Sequence, residues 1–73
     1  MEDFRAIIVK WPEPHVETLA ADVGASREAV KKWWQRNAIP GEWFAHVRDA
    51  AARRRIKGVT TDLMAELARR QAA

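Results

Sequence analysis

Seventy-three residues with 48% apolar composition and six Trp and Phe side chains fit one small folded domain rather than a disordered basic tail. The absence of cysteine excludes a disulfide framework and a thiolate zinc site, and no apolar run approaches the roughly 20 residues of a membrane span. The net charge of +3 is unevenly spread: residues 27–57 hold nine basic and three acidic side chains, which favours a polyanion-facing surface there.

Apolar positions recur mainly three or four residues apart, so the expected fold class is all-α, a compact domain of four to five helices. Phe4, Ile7 and Ile8 mark one face of a first helix over roughly residues 2–10. Trp11-Pro12-Glu13-Pro14 ends it, because proline restrains the residue before it and cannot extend the hydrogen-bond ladder. A second helix is expected over 15–22, with Leu19, Ala20 and Val23 inward and Ala20 small enough for a close helix approach. Gly24 then allows a left-handed turn at little steric cost. Ser26 is suited to N-cap a third helix reaching Arg36, with Val30 and Trp33 on its inner face. Trp33 and Trp34 stand about 100° apart around that helix, so Trp33 is assigned to the core and Trp34 to its edge, to the fourth helix or to a place beside DNA sugar-phosphate.

Asn37 to Gly41 form a connector pinned by Ile39. Trp43, Phe44, Val47 and Ala51 give a fourth helix over 41–55, with the Trp43-Phe44 pair packing beneath the basic residues. Gly58 breaks the pattern, and Thr61 or Thr60 caps a last helix, 60–71, carrying Leu63, Met64 and Leu67, with a loose tail after Arg70. Strand character is confined to Ile7-Ile8-Val9 and Ile56-Lys57-Gly58-Val59, too short to define a sheet. No repeat or linker divides the chain, so 1–73 reads as one domain with 15–36 at its centre.

Two helices joined by a tight turn, the second apolar on one side and basic on the other, form the unit that places its second helix in the DNA major groove. Ser26, Arg27, Glu28, Lys31 and Lys32 are the expected base readers. Arg27 can offer two donors to guanine O6 and N7, and Glu28 can accept from cytosine N4. Glu28 has a competing role, orienting Arg27 or pairing with Lys31 or Lys32. Thr18, Gln35, Arg36, Arg53, Arg54, Arg55 and Lys57 are the expected phosphate contacts. The arginine run also suits a solvated helix end, where positive charge favours the helix dipole. His15, beside Pro14, suits a capping or surface role. His15 and His46 lack metal-ligand spacing, and no phosphate loop or dinucleotide fingerprint is present. No enzyme activity, metal or cofactor is therefore expected.

Residues 16–35 resemble the helix-turn-helix of lambda-type Cro and phage-repressor proteins. The matching features are Ala20 in the first helix of the unit, Gly24 in its turn, Ala25 after it, and inward Val30 and Trp33. Helix order over residues 1–59 is compatible, and Ile39-Pro40-Gly41-Glu42-Trp43 is similar to the connection in small Cro-like regulators of bacteria and prophages. The resemblance implies a lambda-repressor-like, sequence-specific transcription regulator, often a repressor and often dimeric. It also implies that Arg27, Glu28 and Lys32 occupy recurrent base-reading positions. The expected partner is a double-stranded DNA operator bound by a homodimer, and the expected location is cytoplasmic and nucleoid-associated. Candidate dimer contacts are the last helix, Trp34 and the region of Ile39. Two other functions compete: a protein-interaction module (an antitoxin or phage accessory factor) using Leu63, Met64 and Leu67, or a sequence-independent nucleoid protein. The mixed Ser26-Arg27-Glu28 segment argues against the latter.

Overall fold

The Asp3 carboxylate accepts the Ala6 N–H at 2.7 Å and so caps the first helix, α1 (Phe4–Ile8). The computed structural model describes residues 3–72, and α1 is shorter there than the expected 2–10; residue 2 lies outside the described residues. Lys10 and Trp11 donate to the carbonyls of Ile7 and Ile8, three residues back. This tighter turn ends α1 and carries the Trp11 ring into the core, where it is 1% exposed. Trp11 thus does more than help to stop a helix: it is among the largest buried side chains.

The second helix, α2 (His15–Val23), follows a cis Glu13–Pro14 bond and buries Leu19, Ala20 and Val23. His15 Nδ1 hydrogen-bonds the Trp11 carbonyl, giving His15 a local tethering role. At Gly24 the backbone turns left-handed, φ 77°, and the N–H groups of Gly24 and Ala25 both donate to the Ala20 carbonyl. Ser26 Oγ accepts the Ala29 N–H at 3.1 Å and starts α3 (Arg27–Arg36). Asn37, at φ 51°, ends α3. Helices α2 and α3 pack against each other more extensively than any other pair.

The expected fourth helix, 41–55, is divided. Gly41–Trp43 form a 3₁₀ turn, and α4 runs over Phe44–Arg53. Pro40 lacks an N–H to extend a helix backwards, while its carbonyl accepts from Trp43 at 2.9 Å. At the other end Arg55 is left-handed, φ 59°, and Ile56 N–H reaches back to the Ala51 carbonyl at 2.9 Å. That six-to-one bond closes α4 before Gly58 is reached. Thr60, not Thr61, caps α5 (Thr61–Ala72): its Oγ1 accepts the Leu63 N–H at 3.0 Å. Beyond Arg70 the chain stays helical to Ala72, where a loose tail was expected, and Gln71 Nε2 donates to the Asn37 carbonyl. Ala73 lies outside the described residues.

Five α-helices therefore make up the architecture, with no strand among the described residues, including Ile7–Val9 and Ile56–Val59. Their inner faces meet at Ile7, Ile8, Leu19, Val30, Val47 and Met64, all fully buried. Trp43 and Phe44 are half-buried and close the core from one side: Trp43 lies 5.6 Å from Trp33 and Phe44 6.1 Å from Phe4, between ring centroids. The Cα radius of gyration, 11.0 Å, matches the roughly 11 Å of a fully compacted chain this long. Among the described residues no helix is long and apolar enough to cross a membrane.

A Cβ at Gly24 would meet nothing within 4 Å, so a side chain there is opposed by the positive φ alone. Gly24→Ala should cost about 1–2 kcal/mol, and Trp11→Ala, which empties a buried site, about 3–5 kcal/mol. Urea unfolding checks both; a Trp11 variant no weaker than the Gly24 variant contradicts the placement of Trp11 in the core.

Candidate nucleic-acid interface

Burial of Val30 and Trp33 fixes how α3 is rotated about its axis. With 3.6 residues per turn, that choice turns Arg27, Glu28, Lys31, Lys32 and Gln35 away from the core, and all five are exposed. Arg27 and Lys31 follow one i, i+4 row; Glu28, Lys32 and Arg36 follow the next. The ridge they form has a groove on each side. One, of about 280 Å³, lies towards the start of α2 and is lined by His15, Val16, Glu17, Arg27, Lys31 and Trp34, among others. The other, of about 500 Å³, lies towards the connector and includes Glu28, Lys32, Arg36, Ile39, Pro40 and Trp43.

The five residues expected to read bases thus come together on one edge of the molecule, although their side chains differ in freedom. Ser26 is exposed, but its Oγ is engaged at the helix cap. Arg27 Nε lies 3.0 Å from Glu17 Oε1 on α2. Among the described residues, Glu28, Lys31 and Lys32 form no ion pair, so the expected pairing of Glu28 with Arg27, Lys31 or Lys32 is not seen, and the carboxylate beside Arg27 is that of Glu17.

Residues expected to meet phosphate are spread around this ridge. Thr18 is half-buried, next to Glu17 in the first turn of α2. Gln35 and Arg36 are exposed at the C-terminal end of α3. That end is closed by Arg5, a residue the sequence pattern does not single out. Its Nε and Nη2 donate to the carbonyls of Trp34 and Gln35 at 2.8 and 3.1 Å, and its guanidinium lies 5.7 Å from the centre of the half-buried Trp34 ring. Arg5 thereby gives the Gln35 carbonyl a donor and adds a second one to the Trp34 carbonyl, which also accepts the Asn37 N–H at 3.2 Å.

At the other end of α3, Asp22 joins three parts of the chain. Its carboxylate accepts Trp11 Nε1 at 3.0 Å and both Nε and Nη2 of Arg54, while Arg53 Nη2 donates to its backbone carbonyl at 2.8 Å. Two of the four basic residues at 53–57 therefore already tie the end of α4 to the end of α2. Arg55 and Lys57 lie exposed in the following loop, with no ion pair among the described residues. Hydrogen bonding from Arg54 holds the Asp22 carboxyl below its ordinary range; partial burial opposes the shift, and Trp11 with the nearby arginine charges reinforces it.

The chain matches no protein-family model, no curated protein and no solved structure. Among the described residues no three His, Asp or Glu side chains are grouped closely enough to hold a metal ion.

Because the folded-state pKa of Asp22 is depressed, its contribution to stability is present above the unfolded value, about 3.9. It is lost as pH falls from there through the lower folded value. Asp22→Asn should lower stability at pH 7 by about 1–3 kcal/mol. Urea midpoints measured from pH 7 down to pH 3 should show the gap between the two proteins narrowing below about pH 4. A gap that stays constant with pH contradicts the ionised Asp22 junction.

Proposed function

We propose that this chain is a sequence-specific double-stranded DNA-binding protein in which α2 and α3 act as a helix-turn-helix and α3 enters the major groove. The observation that carries this reading is the rotation of α3: with Val30 and Trp33 buried, Arg27, Glu28, Lys31 and Lys32 face outward together. A helix with its side chains is about 10–12 Å across, and the major groove is about 12 Å wide. Arg27 would meet guanine O6 and N7, Glu28 cytosine N4, and Lys31 and Lys32 acceptors on neighbouring bases or phosphates. Gln35, Arg36, Arg55 and Lys57 are the side chains freest to reach phosphate, with Thr18 at the start of α2. Arg53 and Arg54, engaged with Asp22, would add to the positive field more than to direct contacts.

The biological role we propose is transcription regulation, as a lambda-repressor-like repressor at the nucleoid. Ten helical residues span about 15 Å and read few base pairs, which favours two copies on half-sites about one DNA turn apart. Met64, Leu67 and Ile39 are buried in this chain's own core and are unavailable for such a contact; Trp34 and Leu63 are half-buried. The same burial places Met64 and Leu67 in this chain's own core, which leaves Leu63 as the half-buried residue of the three on which a role as a protein-interaction module through α5 would rest.

Selection of bound sequences from random duplex DNA tests the reading. A reproducible motif is expected, with log affinity falling linearly as log salt rises, by about 0.9 per phosphate neutralised. Lys32→Ala should lose on the order of 1–3 kcal/mol of discrimination if Lys32 reads a base, and should flatten the salt slope by about one if it meets phosphate. Equal recovery of unrelated duplexes would reassign the chain to sequence-independent DNA packing, and salt-insensitive or absent binding would remove DNA as its partner.

A further inference from the structure

Resting on that DNA-binding reading, we infer that Glu17 is a positioning residue for specificity: it holds Arg27 so that the guanidinium meets guanine end-on. Arg27 is the first residue of α3 and Glu17 stands in the first turn of α2, ten positions earlier. The turn at Gly24 brings them together, with Arg27 Nε 3.0 Å from Glu17 Oε1. Their side chains are 64% and 50% exposed. A pair so exposed does little for folding in water; the role inferred for it is exerted at the DNA surface, on where the arginine stands.

That direction suits base recognition. Reading guanine through O6 and N7 takes two parallel N–H donors, which a guanidinium can present either from Nε with one Nη or from the two Nη atoms. Glu17 Oε1 sits beside Nε, the nitrogen nearest the main chain, and among the described residues neither Nη1 nor Nη2 of Arg27 donates a hydrogen bond, so both stay available to the base. An untethered arginine samples many rotamers and meets phosphates as readily as bases. Lys31 and Trp34 line the same groove as Glu17 and Arg27, so the pair sits on the edge that would face the duplex. A carboxylate there repels phosphate and weakens non-specific attraction, which adds to the selectivity that orienting Arg27 provides. Glu28, next to Arg27 in sequence, forms no ion pair among the described residues and stays free for its own contact.

Three single variants and one double variant of the full chain separate orientation from charge, after urea unfolding shows that each is folded. Arg27→Ala first identifies the operator position that depends on Arg27. At that position Glu17→Gln should lose about tenfold in discrimination, while affinity for unrelated duplexes rises as the negative charge is removed. Glu17→Asp keeps the charge but is one methylene shorter; it should lose the same discrimination without the rise in general affinity. Once Arg27 is alanine, Glu17→Gln should cause no further loss at that position. If Glu17→Gln strengthens every duplex equally and Glu17→Asp behaves like the parent, Glu17 acts as a charge alone and the positioning role is overturned. A motif that does not depend on Arg27 overturns it too, with DNA binding intact. Failure of the parent protein to select any motif overturns the specificity reading itself.

Discussion

The seating of Val30 and Trp33 in the core is the constraint on which the rest of the molecule depends. A ten-residue helix is too short to hold its shape alone in water, so α3 exists because one of its faces is buried. The same burial decides which side chains remain outside. Everything around α3 serves that orientation: Gly24 sets its angle to α2, the Trp43 ring packs on Trp33, and Asn37 ends it.

Charge is divided between fixing the frame and furnishing its surface. Arg5 closes the C-terminal end of α3, and Arg53 and Arg54 bind Asp22 just ahead of its N-terminal end. With its side chain 20% exposed and joined to Trp11 as well, Asp22 forms a stronger junction than an open surface pair. The Glu66–Arg69 and Glu66–Arg70 pairs on α5 are more exposed and contribute correspondingly little. With Arg5, Arg53 and Arg54 engaged in this way, Lys31, Lys32, Arg36, Arg55 and Lys57 remain at the surface, and these give the DNA-binding reading its electrostatic basis.

Helix order and most of the core were legible in the sequence because both follow from local spacing. Phe4, Ile7 and Ile8, then Leu19, Ala20 and Val23, then Val30 and Trp33, repeat at the period of a buried helix face and are buried. Trp11 was not legible as core, since it falls beside prolines and outside any repeat. The Asp22–Arg54 junction spans 32 positions, and no periodicity links residues so far apart. α4 ends at Arg53, ahead of the expected residue 55, and the left-handed residue that closes it is Arg55, which carries no glycine or asparagine signal. The exposed edge of α3 could be read from its polar pattern, whereas the partner of Arg27 could not. Adjacency favours Glu28, but successive helix residues point in different directions, and the turn at Gly24 brings Glu17 closer.

Mapping backbone amide shifts by NMR while a selected duplex is titrated into the labelled protein tests the central claim most directly. The largest changes should follow Arg27, Glu28, Lys31 and Lys32 and extend to the first turn of α2, with the outer face of α5 little altered. Changes concentrated on α5, with α3 undisturbed, would contradict the assignment of α3 as the DNA-reading helix.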